Sequence, residues 1–115
     1  MVSDHTVTFS GHTVTVGTQT WDAPWPVKQA ATVGGDRVVL LYDYMAAPTD
    51  RQFRNLEAFT VSGERLWTAE HPTSEPADCY VEILATDPLI IWDFAGYRCT
   101  IDPSNGRLID AEFTK

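Results

Sequence analysis

The sequence predicts an all-β fold: two four-stranded antiparallel meanders, shaped like propeller blades, preceded by an N-terminal β-hairpin and packed as a sandwich or a partial propeller. Three observations carry this expectation. Short alternating or continuous apolar runs follow one another along the chain, each closed by a turn rich in glycine, proline or aspartate. No stretch keeps a helical period over the dozen or so residues a helix needs. The turns of one half can be laid over those of the other, with Gly63 recurring as Gly106, 43 residues on.

The first element is HTVTF-SG-HTVTV, two alternating runs joined at Ser10-Gly11. Pairing across that turn sets Phe9 opposite His12, Val7 opposite Val14 and His5 opposite Val16, which leaves one face mostly apolar and the other all threonine. WDAPWP follows, where Pro24 and Pro26 forbid a helix and favour an extended connector carrying Trp21 and Trp25. Residues 1–26 are therefore a hairpin with a Trp/Pro connector.

The first meander, residues 27–70, reads VKQAATV, turns at GGD into RVVLLYDY, and after a longer loop continues as NLEAFTV, SG and ERLWTAE. The segment TDRQFRNLEAF could place Phe53 and Leu56 on one helical face, but the second meander has a strand at the equivalent place, so a loop entering a strand is expected. A proline-containing loop leads to the second meander, residues 79–113: CYVEILA, LIIWDF, YRCTID and RLIDAEF. The runs VVLL and LII are continuous rather than alternating, which in antiparallel sheets implies cover on both faces.

Composition bounds the rest. One domain is expected at 115 residues with 43% hydrophobic content, and it needs no disulfide or metal to close a core. Sixteen acidic residues against eight basic ones give a net charge of -8, with no basic stripe to follow a phosphate backbone, so nucleic acid and anionic membrane are poor partners. The chain starts at Met1 without a basic segment leading into an apolar one, and no apolar run approaches the ~20 residues that span a bilayer, so a cytoplasmic protein is expected. Cys79 and Cys99 fall two strand spacings apart in one sheet, beyond disulfide reach, and are expected as buried thiols.

The turn LEAFTVSGERLW resembles the end of a blade in the quinoprotein (PQQ-like) β-propeller repeat. There a small residue and an aliphatic one lead into a turn, a glycine, and a tryptophan four residues later; Ala58, Phe59, Gly63 and Trp67 hold those places. The 43-residue spacing lies in the range of propeller blades. The second copy, CTIDPSNGRLID, keeps Asp102 and Gly106 but has Asp110 in the tryptophan place, and the first has Thr60 in the aspartate place. The resemblance implies blade-like meanders over residues 27–113. It implies no cofactor, because family members that bind the quinone use a complete ring.

No familiar nucleophile, phosphate or calcium motif occurs, and no catalytic residue or cofactor is assigned. No metal site is expected, since His5 and His12 lie too far apart diagonally to share an ion. A thiol nucleophile formed by Cys79 with His71 reads better as packing. Asp43 and Asp93 end the two apolar second strands at equivalent places, where they could approach as an acid pair or bond turn amides. Trp21 and Trp25 could meet a ligand or plug the core edge. With Arg51 and Arg54 of the long loop, these residues make up the candidate binding set. The leading reading is a non-catalytic binding module for a protein partner, of the bacterial immunity or accessory type, with self-association as a further form. The alternative is a small-ligand binder or hydrolase using carboxylates at one end of the sheets.

Overall fold

The computed structural model describes residues 6–46 and 52–114. Among the described residues eleven strands form three sheets. The first holds β1 (Val7–Ser10), β2 (Thr13–Val16) and β3 (Gln19–Asp22). The second holds β4 (Val27–Val33), β5 (Arg37–Tyr42), β6 (Leu56–Thr60) and β7 (Arg65–Thr68), and the third β8 (Tyr80–Thr86), β9 (Leu89–Asp93), β10 (Tyr97–Ile101) and β11 (Leu108–Phe113). Within each sheet spatial order follows chain order and every pairing is antiparallel, so the two quartets are the expected meanders. The only helical piece among the described residues is a 3-10 turn, Tyr44–Ala46.

The N-terminal unit corrects the sequence expectation in two ways. It is a three-stranded sheet rather than a hairpin, because Trp21 and Asp22 belong to β3 and only Ala23–Pro26 connect. Its first turn is Gly11-His12, not Ser10-Gly11, so Val7 faces Val16, Phe9 faces Val14 and Thr8 faces Thr15. That register gives Gly11 the first central place of the turn, where a type II′ hairpin wants glycine. The two-residue shift keeps each side chain on its expected face. The outer face remains polar, with Thr13 donating to Asp22 at 3.3 Å and the Thr15 and Thr20 hydroxyls bonded at 3.2 Å. His5 lies outside the described residues.

The sheets stack as three layers with a core on each side of the middle one. Val39 and Leu41 of β5 point toward the third sheet and pack with Leu56, Ala58, Leu89, Ile91 and Ile101. Val38, Leu40 and Tyr42 point the other way and pack with Val14, Val16, Val27 and Phe59. This two-sided cover explains the unbroken run in β5: all five residues are at most 1% exposed, each side chain contributing about 1.5–3 kcal/mol. The similar run in β9 has one covered face only. Leu89 and Ile91 are buried, while Ile90 and Trp92 on the outer side are half-buried. Where β4 and β8 run side by side, Lys28 Nζ donates to the Val81 carbonyl (3.1 Å) and Ile83 N–H donates to Gln29 Oε1 (2.8 Å).

One contact recurs between successive layers. The Trp21 ring lies so close to Gly63 that an added Cβ would sit 2.7 Å from its Cγ, and Trp21 Nε1 donates to the Val61 carbonyl at 3.0 Å. One layer on, the Trp67 ring covers Gly106 at 2.6 Å from the same imagined Cβ, and its Nε1 donates to the Pro103 carbonyl at 2.9 Å. Each tryptophan thus reaches from the last strand of one sheet to the closing turn of the next. Gly17 precedes Trp21 by the same four residues that separate Gly63 from Trp67, so the glycine-to-tryptophan interval recurs in the N-terminal sheet.

Candidate functional site

A cleft of about 390 Å³ opens beside the 23–26 connector, lined by Pro24, Trp25, Gln52, Phe53, Arg54, Glu57, Arg65 and Thr68. Its aromatic wall follows from the connector: Pro24 and Pro26 keep the chain extended, and the half-buried Trp25 meets Phe53 edge-on, ring centres 4.9 Å apart. Phe53 in turn stacks on Tyr42 at 6.3 Å. Such pairs hold their rings in fixed orientations and leave one face or edge for a ligand.

The polar side is built by strand register. Glu57 lies opposite Thr68, and Phe59 opposite Arg65, so that Glu57, Thr68 and Arg65 come together. Glu57 is only 5% exposed, yet three donors satisfy its carboxylate: Tyr42 Oη at 2.7 Å, Thr68 Oγ1 at 2.5 Å and Arg65 Nη1 at 3.5 Å. A buried charge is tolerable when hydrogen-bonded in this way. Burial, with the neighbouring Glu57 charge, pushes the Tyr42 hydroxyl far above its ordinary value, so it stays a donor. Arg65 is 65% exposed and Arg54 is exposed, so both present guanidinium to solvent at the mouth. Gln52 Nε2 donates to the Thr73 and Glu75 carbonyls, at 2.9 and 3.0 Å, and so ties the cleft wall to the loop joining the second and third sheets.

Of the residues singled out in the sequence, the cleft gathers Trp25 and Arg54. Trp21 lies elsewhere, seated on Gly63, and Arg51 falls outside the described residues. Asp43 accepts the Met45 N–H (2.9 Å) and Asp93 accepts the Ala95 N–H (2.8 Å), each through Oδ1. The carboxyl whose charge acts on Asp93 is that of Asp78, not Asp43. Gln52, Glu57, Arg65 and Thr68 carry no mark of a site in the sequence beyond one signal, the charge of Glu57 inside the apolar run of β6. Among the described residues no group of three or more His, Cys, Asp or Glu is placed to hold a metal ion. Both cysteines are free and buried, and burial pushes the Cys79 thiol up, the opposite of what an activated nucleophile needs. No helix among the described residues is long and apolar enough to cross a membrane.

The chain belongs to the family described as a domain of unknown function, DUF7957, whose family model matches residues 5–113. Comparison with curated proteins and with solved structures finds no match.

Proposed function

We propose that this chain is a non-catalytic binding module that engages a protein partner through the cleft of Trp25, Arg54 and Arg65, taking an acidic segment of that partner. The observation that carries the reading is the meeting of an aromatic wall with two solvent-facing guanidinium groups on a chain of net charge -8. Arginine forks pair with carboxylates in two parallel hydrogen bonds, and Trp and Arg are the residues most often found at energetic centres of interfaces. Glu57 holds Arg65 from below without using its full set of five N–H donors.

The hydrolase alternative has less support. Asp93 is fully buried and its partner Asp78 is 3% exposed, so neither faces a substrate. In the same reading the three sheets are blade-like units akin to the quinoprotein repeat, supported by the repeated seating of tryptophan on glycine, with no quinone carried over. The two free thiols suit a reducing, cytoplasmic setting.

Titration with a glutamate-rich peptide, followed by NMR of the tryptophan indole and arginine side-chain signals, tests the site. The expected result is a selective shift at Trp25, Arg54 and Arg65, with affinity reduced at least tenfold in Arg54→Ala/Arg65→Ala and lowered by raised salt. Shifts that avoid the cleft, or that survive the double substitution, would refute it.

A further inference from the structure

Away from the cleft, the loop between the second and third sheets ends in a pair of acids with too few donors. Asp78 is 3% exposed and Asp93 0%. One oxygen of each is satisfied: Asp78 Oδ2 accepts the Thr73 hydroxyl at 2.6 Å, and Asp93 Oδ1 accepts the Ala95 N–H at 2.8 Å. The other two, Asp78 Oδ1 and Asp93 Oδ2, are buried with no donor, and the strand register that pairs Tyr80 with Asp93 sets Asp78, two residues ahead of Tyr80, close enough to act on the Asp93 carboxyl. Ionised carboxylates only accept. Two charges buried side by side, each with one oxygen lacking a donor, would repel in a low-dielectric setting, whereas a single proton held by either carboxyl lets its O–H donate to the bare oxygen of the other.

We propose that Asp78 and Asp93 share a single proton, and that this proton clasps the loop of residues 71–79 onto the end of β9. The clasp extends beyond the binding reading and does not depend on it. It bears on the cleft because Thr73, whose hydroxyl is bonded to Asp78, also offers its carbonyl to Gln52 of the cleft wall. The surrounding bonds show how the loop is otherwise held: Asn55 Oδ1 accepts the Tyr80 N–H, Phe94 N–H donates to the Cys79 carbonyl, and the Tyr80 hydroxyl donates to the Glu70 carbonyl.

The groups facing the pair fix its pH behaviour. Cys79 and Cys99 flank it, with Tyr80, and burial pushes all three up, Cys99 to about 12, so they keep their protons through the acid range. The charge of Lys28 on β4 acts on Cys79, that of Asp110 on β11 acts on Cys99, and those of Asp78 and Arg54 act on His71 in opposite directions. His71 lies against Tyr80, ring centres 4.4 Å apart, with both nitrogens buried and, among the described residues, the Ala69 backbone the only hydrogen-bonding group that acts on the ring. Burial, followed by the adjoining Asp78, lifts Asp93 to about 7, and burial lowers His71 to about 4.

The two shifts act in opposite directions when the loop opens. Asp93 binds its proton more tightly in the closed state, so its contribution is full below the free carboxylate range and is lost as pH rises through about 7. His71 binds its proton less tightly in the closed state, so its contribution is present above its ordinary value of 6.5 and is lost as pH falls through about 4. Between about pH 4 and 6.5 the two slopes oppose each other.

Infrared spectroscopy of the full chain in heavy water at pH 6, with hydrogen exchange of loop amides from pH 4.5 to 7, tests the clasp. A protonated-carboxyl band is expected in the wild type and is lost in Asp93→Asn, whose amide can donate to Asp78 and still accept from Ala95. Corrected for intrinsic rates, protection at Tyr80 and Phe94 should be nearly flat to pH 6.5 in the wild type. It should rise with pH, by up to about tenfold per unit, in Asp93→Asn, and fall with pH in His71→Phe. Absence of the band in the wild type, its persistence in Asp93→Asn, or equal pH slopes in all three proteins would overturn the proposal; the wild-type band decides the matter even if a variant fails to fold.

Discussion

Replacing Trp67 by alanine is expected to cost about 3–5 kcal/mol, the range for removing a buried tryptophan, and to leave a domain of ordinary stability barely folded. Trp67 is 7% exposed, fills the core between the second and third sheets, and donates its indole N–H to Pro103. Its seat is as specific as the ring. Gly106 lies at φ +77°, and a methyl group there would meet Trp67 Cε3 at 2.6 Å, with the ring anchored by its own hydrogen bond. Gly106→Ala therefore combines a left-handed backbone, which costs a non-glycine residue about 1–3 kcal/mol, with displacement of the indole. Urea unfolding monitored by tryptophan fluorescence measures both losses. Because the two residues touch, the double variant should lose less than the sum of the single losses.

The second large effect is expected at Asn55, a fully buried amide that joins the middle and third sheets. Its Nδ2 donates to the carbonyls of Tyr42 (3.2 Å) and Tyr80 (2.7 Å), and its Oδ1 accepts the Tyr80 N–H at 2.8 Å. Tyr42 keeps a further link, donating its own N–H to the Asn55 carbonyl at 2.8 Å. Asn55→Leu is close in volume but leaves the Tyr80 N–H and carbonyl without that partner in a closed core. Each stranded group costs about 1–3 kcal/mol, so a loss of about 2–6 kcal/mol is expected. Asn55→Asp, which keeps the acceptor but removes the donors and buries a charge, should be no better tolerated. Thermal unfolding by circular dichroism compares the two variants. A loss under about 1 kcal/mol in Asn55→Leu would show that the sheets do not depend on this bridge.

These two sites mark where sequence reading succeeds and where it stops. The strands of the quartets are legible because their apolar runs and turn glycines are local signals, and the unbroken VVLL run correctly implies cover above and below. The same inference fails for β9, since a short run such as LII looks alike whether one neighbour or two will cover it. β3 is obscured because Gln19, Thr20 and Asp22 are exposed and the prolines that follow suggest a connector. Its true signal is the interval from Gly17 to Trp21, which repeats that from Gly63 to Trp67. Asn55 and Asp78 carry no local mark at all: their partners lie across sheets or at the end of another strand. The cleft is half visible in the same way. Trp25 and Arg54 stand in loops where exposed aromatic and basic residues attract notice, whereas Arg65 and Glu57 meet only through the register of β6 with β7.

The central claim is that three sheets stack in chain order, each tryptophan of one seated on the turn glycine of the next. A glycine held against an indole face feels the ring current directly, so the α-proton shifts of Gly63 and Gly106 report on it without perturbing the protein. The account predicts that both glycines show α-protons moved strongly upfield, with cross-relaxation from Trp21 to Gly63 and from Trp67 to Gly106. Glycine α-protons at ordinary positions, with no contact to either indole, would contradict it.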